Sequence, residues 1–151
     1  MNQAKYRPER VINGTHSSVW VGDVEYVQST SLSAKLSLQK TEVNQTGTLY
    51  KGYKVTGIEG KGNLKGNKID SFFVKLILDS LKEGKTVTTQ IRSKLADPEA
   101  AGAEDILLTG VTFDEIDVIN WEAGKLIEED LPFSFTGAEV LDSIDHGAAL
   151  A

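Results

Sequence analysis

The chain has 151 residues, of which 40% are apolar, and this predicts one soluble domain with its own hydrophobic core. It contains no cysteine, which excludes disulfides, zinc sites with thiolate ligands and cysteine nucleophiles. The opening residues lack the apolar segment of a signal peptide, and no run approaches the roughly 18 apolar residues of a membrane helix. We therefore expect synthesis and folding in a cytoplasm, without membrane binding.

The net charge of −6 conceals an asymmetry along the sequence. Residues 1–95 carry 15 basic and 8 acidic side chains, whereas residues 96–151 carry 14 acidic side chains and one basic side chain, Lys125. Acidic and apolar residues alternate in the second half, which favours a folded acidic face over a disordered acidic tail. The alternative is that both halves interleave in one fold and their charges mix.

Residues 1–17 are polar and contain Pro8 and Gly14, a composition that predicts a flexible N-terminal arm. Gly22-Asp23 then predicts a tight turn between two short strands. From Val24 apolar residues recur at even positions, which predicts one strand of about 15 residues with a buried face and a face made mostly of serine. At about 3.3 Å per residue this strand would run about 50 Å, so we expect its far end to bend or to pair outside the subunit.

Residues 40–53 show no period and predict a long loop, which in a compact domain is usually functional or disordered. Residues 54–68 contain four glycines, at positions 57, 60, 62 and 66, which indicate bulges or close approach of the backbone. A nucleotide-binding loop is not predicted, because Lys65 stands where a dinucleotide fingerprint needs its third glycine.

One helix is predicted, with Asp70 or Ser71 as N-cap, an apolar stripe from Phe73 to Leu81, and Gly84 just beyond its end. The strands expected after it cover residues 87–95, 105–113, 116–122 and 126–136. Alternation divides the last strand into two faces. The inward side chains are expected to be Ile127, Leu131, Phe133 and Phe135, and the outward ones Glu128, Asp130 and Ser134.

The predicted fold is mainly β with one α-helix, arranged as an antiparallel β-sandwich or barrel with the helix on its flank, because short turns join the strands. Residues 18–145 are expected to form the single domain, between the arm of residues 1–17 and a C-terminal tail of residues 146–151.

No group of residues predicts catalysis, a cofactor or a metal. His16 and His146 lie in the two terminal segments, and no serine stands in a Gly-x-Ser-x-Gly elbow. The densest carboxylate cluster is residues 128–130, but neighbours in a strand point to opposite faces and cannot all converge on one ion. The lysines of residues 51–68 form a loose cluster that a solvated hairpin explains, so nucleic-acid binding is not predicted.

Three segments resemble the tail tube proteins of PBSX-like prophages and related bacteriocin particles. These are the glycine-rich stretch of residues 50–62, the helix of residues 71–84, and a C-terminal pattern. The pattern consists of Val111-Thr-Phe-Asp-Glu-Ile, Trp121-Glu-Ala-Gly-Lys and Glu128-Glu-Asp-Leu-Pro-Phe-Ser-Phe-Thr. The resemblance extends over roughly residues 18–143.

This resemblance implies a non-enzymatic subunit that forms six-fold rings, which stack into a tube inside a contractile sheath. DNA, or only ions in a bacteriocin, would pass through the lumen. The implied partners are further copies of the chain and the sheath, baseplate and tape-measure proteins, and the implied location is a virion tail assembled in the bacterial cytoplasm. A type VI secretion tube protein is the alternative of the same structural class. A small-molecule-binding β-barrel is the alternative of a different class.

Two features are expected to make contacts between subunits. The loop of residues 40–53 is expected to be mobile in the free subunit and ordered in the tube. The charge asymmetry is expected to match lysines of one copy with carboxylates of the next. The candidate contact residues are Asn44, Gln45, Thr46, Tyr50, Lys51, Lys54, Lys61, Lys65, Lys68, Glu128, Glu129 and Asp130.

Overall fold

The structure is a computed structural model and describes residues 5–150. Its strands are β1 (Ser17–Val21), β2 (Val24–Glu25), β3 (Ser29–Val43), β4 (Gly52–Asn67), β5 (Thr89–Leu95), β6 (Glu104–Phe113), β7 (Glu128–Phe135) and β8 (Gly137–Asp142). Helix α1 (Phe72–Lys82) lies between β4 and β5, and a short helix α2 (His146–Ala149) follows β8. Two 3-10 turns, Pro8–Arg10 and Gly14–His16, precede β1.

The strands form an antiparallel path in the order β2-β1-β5-β6-β7-β4-β3, with β8 added beside β6. Strand β6 joins two sheets, because its first part pairs with β5 and β8 whereas its end pairs with β7. Gly110 lies at this change with φ +63°, a left-handed conformation that glycine adopts without steric cost. The prediction of a mainly antiparallel β fold with one flanking helix is confirmed.

The core lies between the two sheets and beneath helix α1. Phe73 is the fully buried residue of the helix, and its ring makes edge contacts with the rings of Tyr26 and Phe113 at centroid distances of 5.2 and 5.5 Å. Such contacts add about 0.5–1.5 kcal/mol each beyond the burial of apolar area. The buried apolar residues are Val19, Val21, Tyr26, Leu64, Phe73, Ile91, Leu108, Val111, Leu131, Phe133 and Phe135.

The helix and the glycine-rich strand follow the sequence predictions. Ser71 is the N-cap residue of α1, Asp70 Oδ1 accepts a hydrogen bond from the Phe72 N–H (3.2 Å), and Gly84 follows the helix with φ +70°. In β4, a Cβ atom at Gly60 would lie 2.6 Å from the Phe135 ring. Close approach of the backbone to aromatic side chains is therefore the reason for glycine here.

The prediction of one long strand from Val24 and a loop over residues 40–53 is wrong in two places. The chain breaks after β2, because Tyr26 turns into the core and its N–H donates to the carbonyl oxygen of Val19. Strand β3 then continues to Val43, and β4 begins at Gly52, so the loop shrinks to residues 44–51. A register shift between Gln39 and Lys40, together with exposure of both faces beyond it, removes the alternation that would have indicated these strands.

Two further differences concern the C-terminal half. Residues 116–122, expected to be a strand, belong to an irregular loop, and several of their apolar side chains are exposed. Residues 137–142, for which no strand was predicted, form β8 beside β6. Glycine at position 137 and acidic residues in the strand concealed it, since these residue types are depleted in strands.

Part of the predicted N-terminal arm contacts the domain. The Asn13 N–H donates a hydrogen bond to Asp97 Oδ2 (2.8 Å), and the carbonyl oxygen of His16 accepts one from the Ala96 N–H (3.2 Å). Residues 1–4 of the arm and residue 151 of the tail lie outside the described residues.

Candidate functional site

A two-stranded hairpin projects from the second sheet. Strands β3 and β4 pair from Ser29 with Gly66 to Val43 with Gly52, whereas β7 pairs with β4 only from Asn67 to Gly60. Residues 36–59 therefore continue beyond β7 as a two-stranded ribbon, which we name the projecting hairpin. Among the described residues, only β3 pairs with β4 along residues 52–59, so the other edge of β4 has no strand partner there.

The projecting hairpin exposes many apolar side chains. Leu49 and Tyr50 at its tip are 102% and 89% exposed. An isolated two-stranded hairpin is marginally stable in water, and unpaired apolar edges promote association. The projecting hairpin is therefore a candidate surface for contact outside the subunit. The exposed large apolar residues of the hairpin are Leu36, Leu38, Val43, Leu49, Tyr50, Tyr53, Val55 and Ile58.

A second open edge lies across a cleft from the hairpin. Strand β8 pairs with β6 alone among the described residues, and Val140 and Leu141 in it are exposed. The cleft between β8 and the outer edge of β4 has a volume of about 490 Å³ and is lined by apolar side chains that include Ile58 and Phe135. Each subunit thus presents two strand edges that flank one apolar cleft.

The candidate residues at the hairpin tip are accessible. Asn44, Gln45, Thr46 and Tyr50 lie in the exposed turn of residues 44–51. Lys51 and Lys54 stand beside them, and the only ion pair at this end joins Lys51 Nζ to Glu42 Oε1 at 3.4 Å, among the described residues. The tip therefore presents lysines and apolar side chains together.

The other candidate lysines do not form a separate basic patch. Lys61, Lys65 and Lys68 lie toward the base of β4, where Lys65 is the register partner of Asp130 in β7. Basic and acidic side chains thus mix on one surface of one subunit. This agrees with the alternative in which the two halves of the sequence interleave in one fold. Strands β6 and β7, from the acidic half of the sequence, also lie between β5 and β4, which come from the basic half.

Glu129 does not belong to an acidic contact surface. Its side chain points inward on the face that carries Leu131 and is only 9% exposed, and Glu129 Oε2 accepts a hydrogen bond from the Tyr26 hydroxyl at 2.7 Å. Burial is the main cause that raises the pKa of Tyr26, and this hydrogen bond raises it further. The pair ties β7 to the corner before β3, so of the three carboxylates only Glu128 and Asp130 remain available for a contact.

An exposed loop lies at the opposite end of β4 from the hairpin tip. We name residues 114–127 the basal loop. Its position is fixed where the Lys68 N–H donates to the carbonyl oxygen of Ile127 (2.9 Å) and the Asp114 N–H donates to that of Pro132 (2.9 Å). Val118, Ile119, Trp121 and Leu126 are exposed large apolar residues of this loop.

The basal loop was missed as a surface because its apolar residues suggested a buried strand. Asp114, Glu115, Asp117 and Glu122 accompany those apolar residues, with Lys125 as the one base in the loop. Lys125 Nζ lies 3.1 Å from Glu122 Oε2. Apolar residues bracketed by acids, without strict alternation, were the signal for an exposed segment.

The perturbed acids and bases of the described residues have structural partners. The Arg92 guanidinium lowers the pKa of Asp105 through a hydrogen bond and lies 5.0 Å from the Trp20 ring centroid. The backbone N–H groups of Glu99 and Asn13 lower the pKa of Asp97. Over residues 5–150, no group of three or more histidine or acidic side chains is arranged to hold a metal ion. No helix in this range is long and apolar enough to cross a membrane.

Comparison with known proteins identifies the family of this chain. A family model described as "Phage tail tube protein" matches residues 4–142. The chain belongs to this tail tube family. The PBSX protein XkdM of Bacillus subtilis (strain 168) is 26% identical over 140 residues, which cover 91% of this chain and 95% of XkdM. The resemblance found in the sequence is confirmed.

Solved structures share the fold of this tail tube subunit. A chain from the sheath-tube complex of the extracellular contractile injection system PVC aligns with a TM-score of 0.70 and 11% identity, covering 90% of this chain and 95% of that one. A chain from the cap of the anti-feeding prophage aligns with a TM-score of 0.69 and 10% identity, covering 95% and 97%. At these identities the likeness establishes the fold, and the assembly contacts must be argued from this chain's own residues.

Proposed function

We propose that this tail tube subunit assembles into six-fold rings, and that the rings stack into a hollow tube. The observation that carries the proposal is the projecting hairpin, which exposes eight large apolar side chains and an unpaired strand edge. Exposed apolar patches of this kind mark association surfaces.

The ring would close by pairing of strand edges. Each subunit has one free edge on β4 and another on β8, with an apolar cleft between them. An extended segment of a neighbour that adds to such an edge gains backbone hydrogen bonds, and its side chains fill the adjacent cleft. A ring closed in this way leaves neither of these two edges unpaired and so stops growth sideways.

The wall of the conduit would be the face of the second sheet that points away from the core. Leu32, Leu64 and Leu131 share the inner face by register, so their sequence neighbours point outward. That outer face carries Ser33, Asn63, Pro132 and their polar neighbours, and Lys65 beside Asp130 balances charge on it. A polar wall of mixed charge gives DNA or ions little to adhere to.

The remaining features of the function follow from this assembly. The subunit would act without catalysis or a cofactor, within a virion tail or a phage-tail-like particle made in a bacterial cytoplasm. Sheath, baseplate and tape-measure proteins would contact the completed tube. The exposed apolar side chains on the hairpin support this assignment, because exposed apolar patches mark association surfaces and neither catalysis nor the binding of a small molecule requires them.

Sedimentation velocity of the purified chain tests the proposal. Wild-type protein is expected to form species far larger than the 16.4 kDa subunit as concentration rises. Ile58→Lys places a charge in the apolar cleft and is expected to hold the chain as a folded monomer. Val27→Lys is the control, since Val27 is 71% exposed outside the hairpin and the cleft. Monomeric wild-type protein at every concentration and ionic strength would contradict the proposal.

A further inference from the structure

One asparagine of the chain is followed directly by glycine. Asn13 has Gly14 as its neighbour, and no other asparagine of the sequence precedes a glycine. Both residues are exposed, and a Cβ atom at Gly14 would meet no heavy atom within 4 Å apart from its chain neighbours. Glycine leaves the backbone nitrogen open to close approach and lets the chain rotate freely. The Asn13 side chain is therefore the amide that its own backbone can attack with least hindrance.

The hydrogen bonds around this dipeptide favour such an attack. Asn13 Oδ1 accepts a hydrogen bond from the Thr15 N–H at 3.0 Å. This bond draws electron density from Cγ and stabilises the negative charge that develops on Oδ1 when a nucleophile adds to the amide. Among the described residues the Gly14 N–H donates no hydrogen bond. Its nitrogen can therefore lose the proton to solvent and act as the nucleophile.

We propose that Asn13 is a deamidation site, at which the side chain is converted to aspartate or isoaspartate. The Gly14 nitrogen gives its proton to a solvent base and forms a bond to Asn13 Cγ. The bond from Cγ to Nδ2 then breaks, and Nδ2 takes up a proton and leaves as ammonia. Water opens the resulting cyclic imide at either of its carbonyl carbons. The balance is one water consumed and one ammonia released, without oxidation or reduction.

The modified residue lies between two contacts that hold the N-terminal segment on the domain. On one side the Asn13 N–H donates to Asp97 Oδ2 at 2.8 Å, and on the other the carbonyl oxygen of His16 accepts from the Ala96 N–H at 3.2 Å. An isoaspartate adds one carbon to the backbone between these contacts and so displaces them relative to each other. Either product also places a second negative charge beside the Asp97 carboxylate, and like charges repel.

Deamidation therefore loosens residues 5–13 from the loop that joins β5 to β6. In the unmodified chain Arg10 Nη1 donates to the carbonyl oxygen of Glu99 in this loop at 3.4 Å. Loss of the contact at Asp97 removes the neighbouring restraint on the same segment. The chain thus contains a slow covalent change that frees its N-terminal segment with age. This change needs no other copy of the chain and goes beyond the proposed function.

Peptide mass mapping of the purified chain during incubation tests the site. The peptide that contains Asn13 is expected to gain the mass difference between a hydroxyl and an amino group, and to become a substrate for enzymatic methylation of isoaspartate. Its conversion should accelerate as pH rises, because the attacking nitrogen must first lose its proton. An Asn13 peptide that stays unchanged during prolonged incubation at mildly alkaline pH would overturn the proposal.

Two other asparagines serve as internal controls. Asn44 and Asn120 are also exposed, but they precede Gln45 and Trp121. Asn120 Nδ2 also donates to the carboxylate of Asp117 at 3.2 Å. Both should convert far more slowly than Asn13. Conversion of all three asparagines at one rate would show that exposure alone controls the reaction and would overturn the proposed role of the glycine.

Gly14→Ala is the matched variant, since the space around Gly14 accepts a methyl group. It is expected to slow conversion of Asn13 on the order of tenfold, because the methyl group hinders the close approach of nitrogen to carbon that the reaction requires. Its melting temperature should equal that of the wild type. Conversion at the wild-type rate in this variant would contradict attack by the Gly14 nitrogen.

Limited trypsin digestion tests the loosening of the N-terminal segment. Cleavage after Arg10 is expected to be several-fold faster in aged wild-type protein than in fresh protein. Gly14→Ala protein incubated for the same time should show no such increase. Equal cleavage of fresh and fully deamidated wild-type protein would overturn the loosening. None of these measurements requires assembly, so their failure would leave the proposed function standing.

Discussion

Phe133 is one of the two phenylalanines that are fully buried in the core, and its removal should be costly. It is 0% exposed, its ring lies against the backbone at Gly62, and the centroid of the Phe135 ring is 6.2 Å away. Glycine cannot extend a side chain into the space that Phe133→Ala would leave, so the site can relax little. Truncation of a buried phenylalanine costs about 3–5 kcal/mol, out of a total of about 5–15 kcal/mol for a whole domain.

Thermal unfolding of the monomer measures this cost. For a domain of this size, about 2–4 °C of melting temperature is lost per kcal/mol. Phe133→Ala should therefore melt about 6–20 °C below the wild type. Ile58→Ala is the control, because Ile58 is 66% exposed in the projecting hairpin and its truncation should change stability by less than about 0.5 kcal/mol. A Phe133→Ala protein that melts within a few degrees of the wild type would refute the core described for β7.

Three more predictions concern the loop, the charges and the N-terminal segment. Deletion of residues 44–48 removes the hairpin turn and should leave a folded monomer that does not scatter light on concentration, and normal tubes would contradict this. Assembly should slow steeply with salt, because the attraction between exposed charges reaches only about 3 Å at 1 M, while preformed tubes persist through their apolar contacts. Equal assembly rates at low and high salt would show that the charged surfaces do not meet. Folding lowers the pKa of Asp97, so its stabilising effect should be complete above the unfolded pKa of about 4 and be lost as pH falls through the lower pKa of the folded state. The difference in melting temperature between wild type and Asp97→Asn should therefore narrow in acid, and a difference that is constant with pH would disprove this role.

The parts of the fold that a sequence can predict are those in which one face is buried. Phe133 and Phe135 alternate with Ser134 and lie in the core, and the stripe that begins at Phe73 anchors helix α1. In both elements the solvent and the core impose opposite preferences on neighbouring residues, so the period survives in the sequence. Gly60, Gly62 and Gly66 of β4 were also informative, because close packing against aromatic rings excludes larger residues at these positions.

The parts that could not be predicted depend on contacts outside the segment. Beyond Gln39 both faces of the projecting hairpin are exposed in the subunit, so no period distinguishes strand from loop. Ile119 and Trp121 suggested a strand because composition alone does not show that these apolar side chains are exposed in the subunit. Glu129 stands among inward-pointing residues because its partner is Tyr26, 103 positions away in the sequence, and one sequence does not reveal such a pair.

Image reconstruction of the assembled wild-type protein by electron cryomicroscopy tests the central claim most directly. The account predicts end views with six-fold symmetry, an open axial channel, and rings in which each projecting hairpin contacts a neighbouring subunit. Filaments without a channel, or rings whose hairpins remain in solvent, would contradict it.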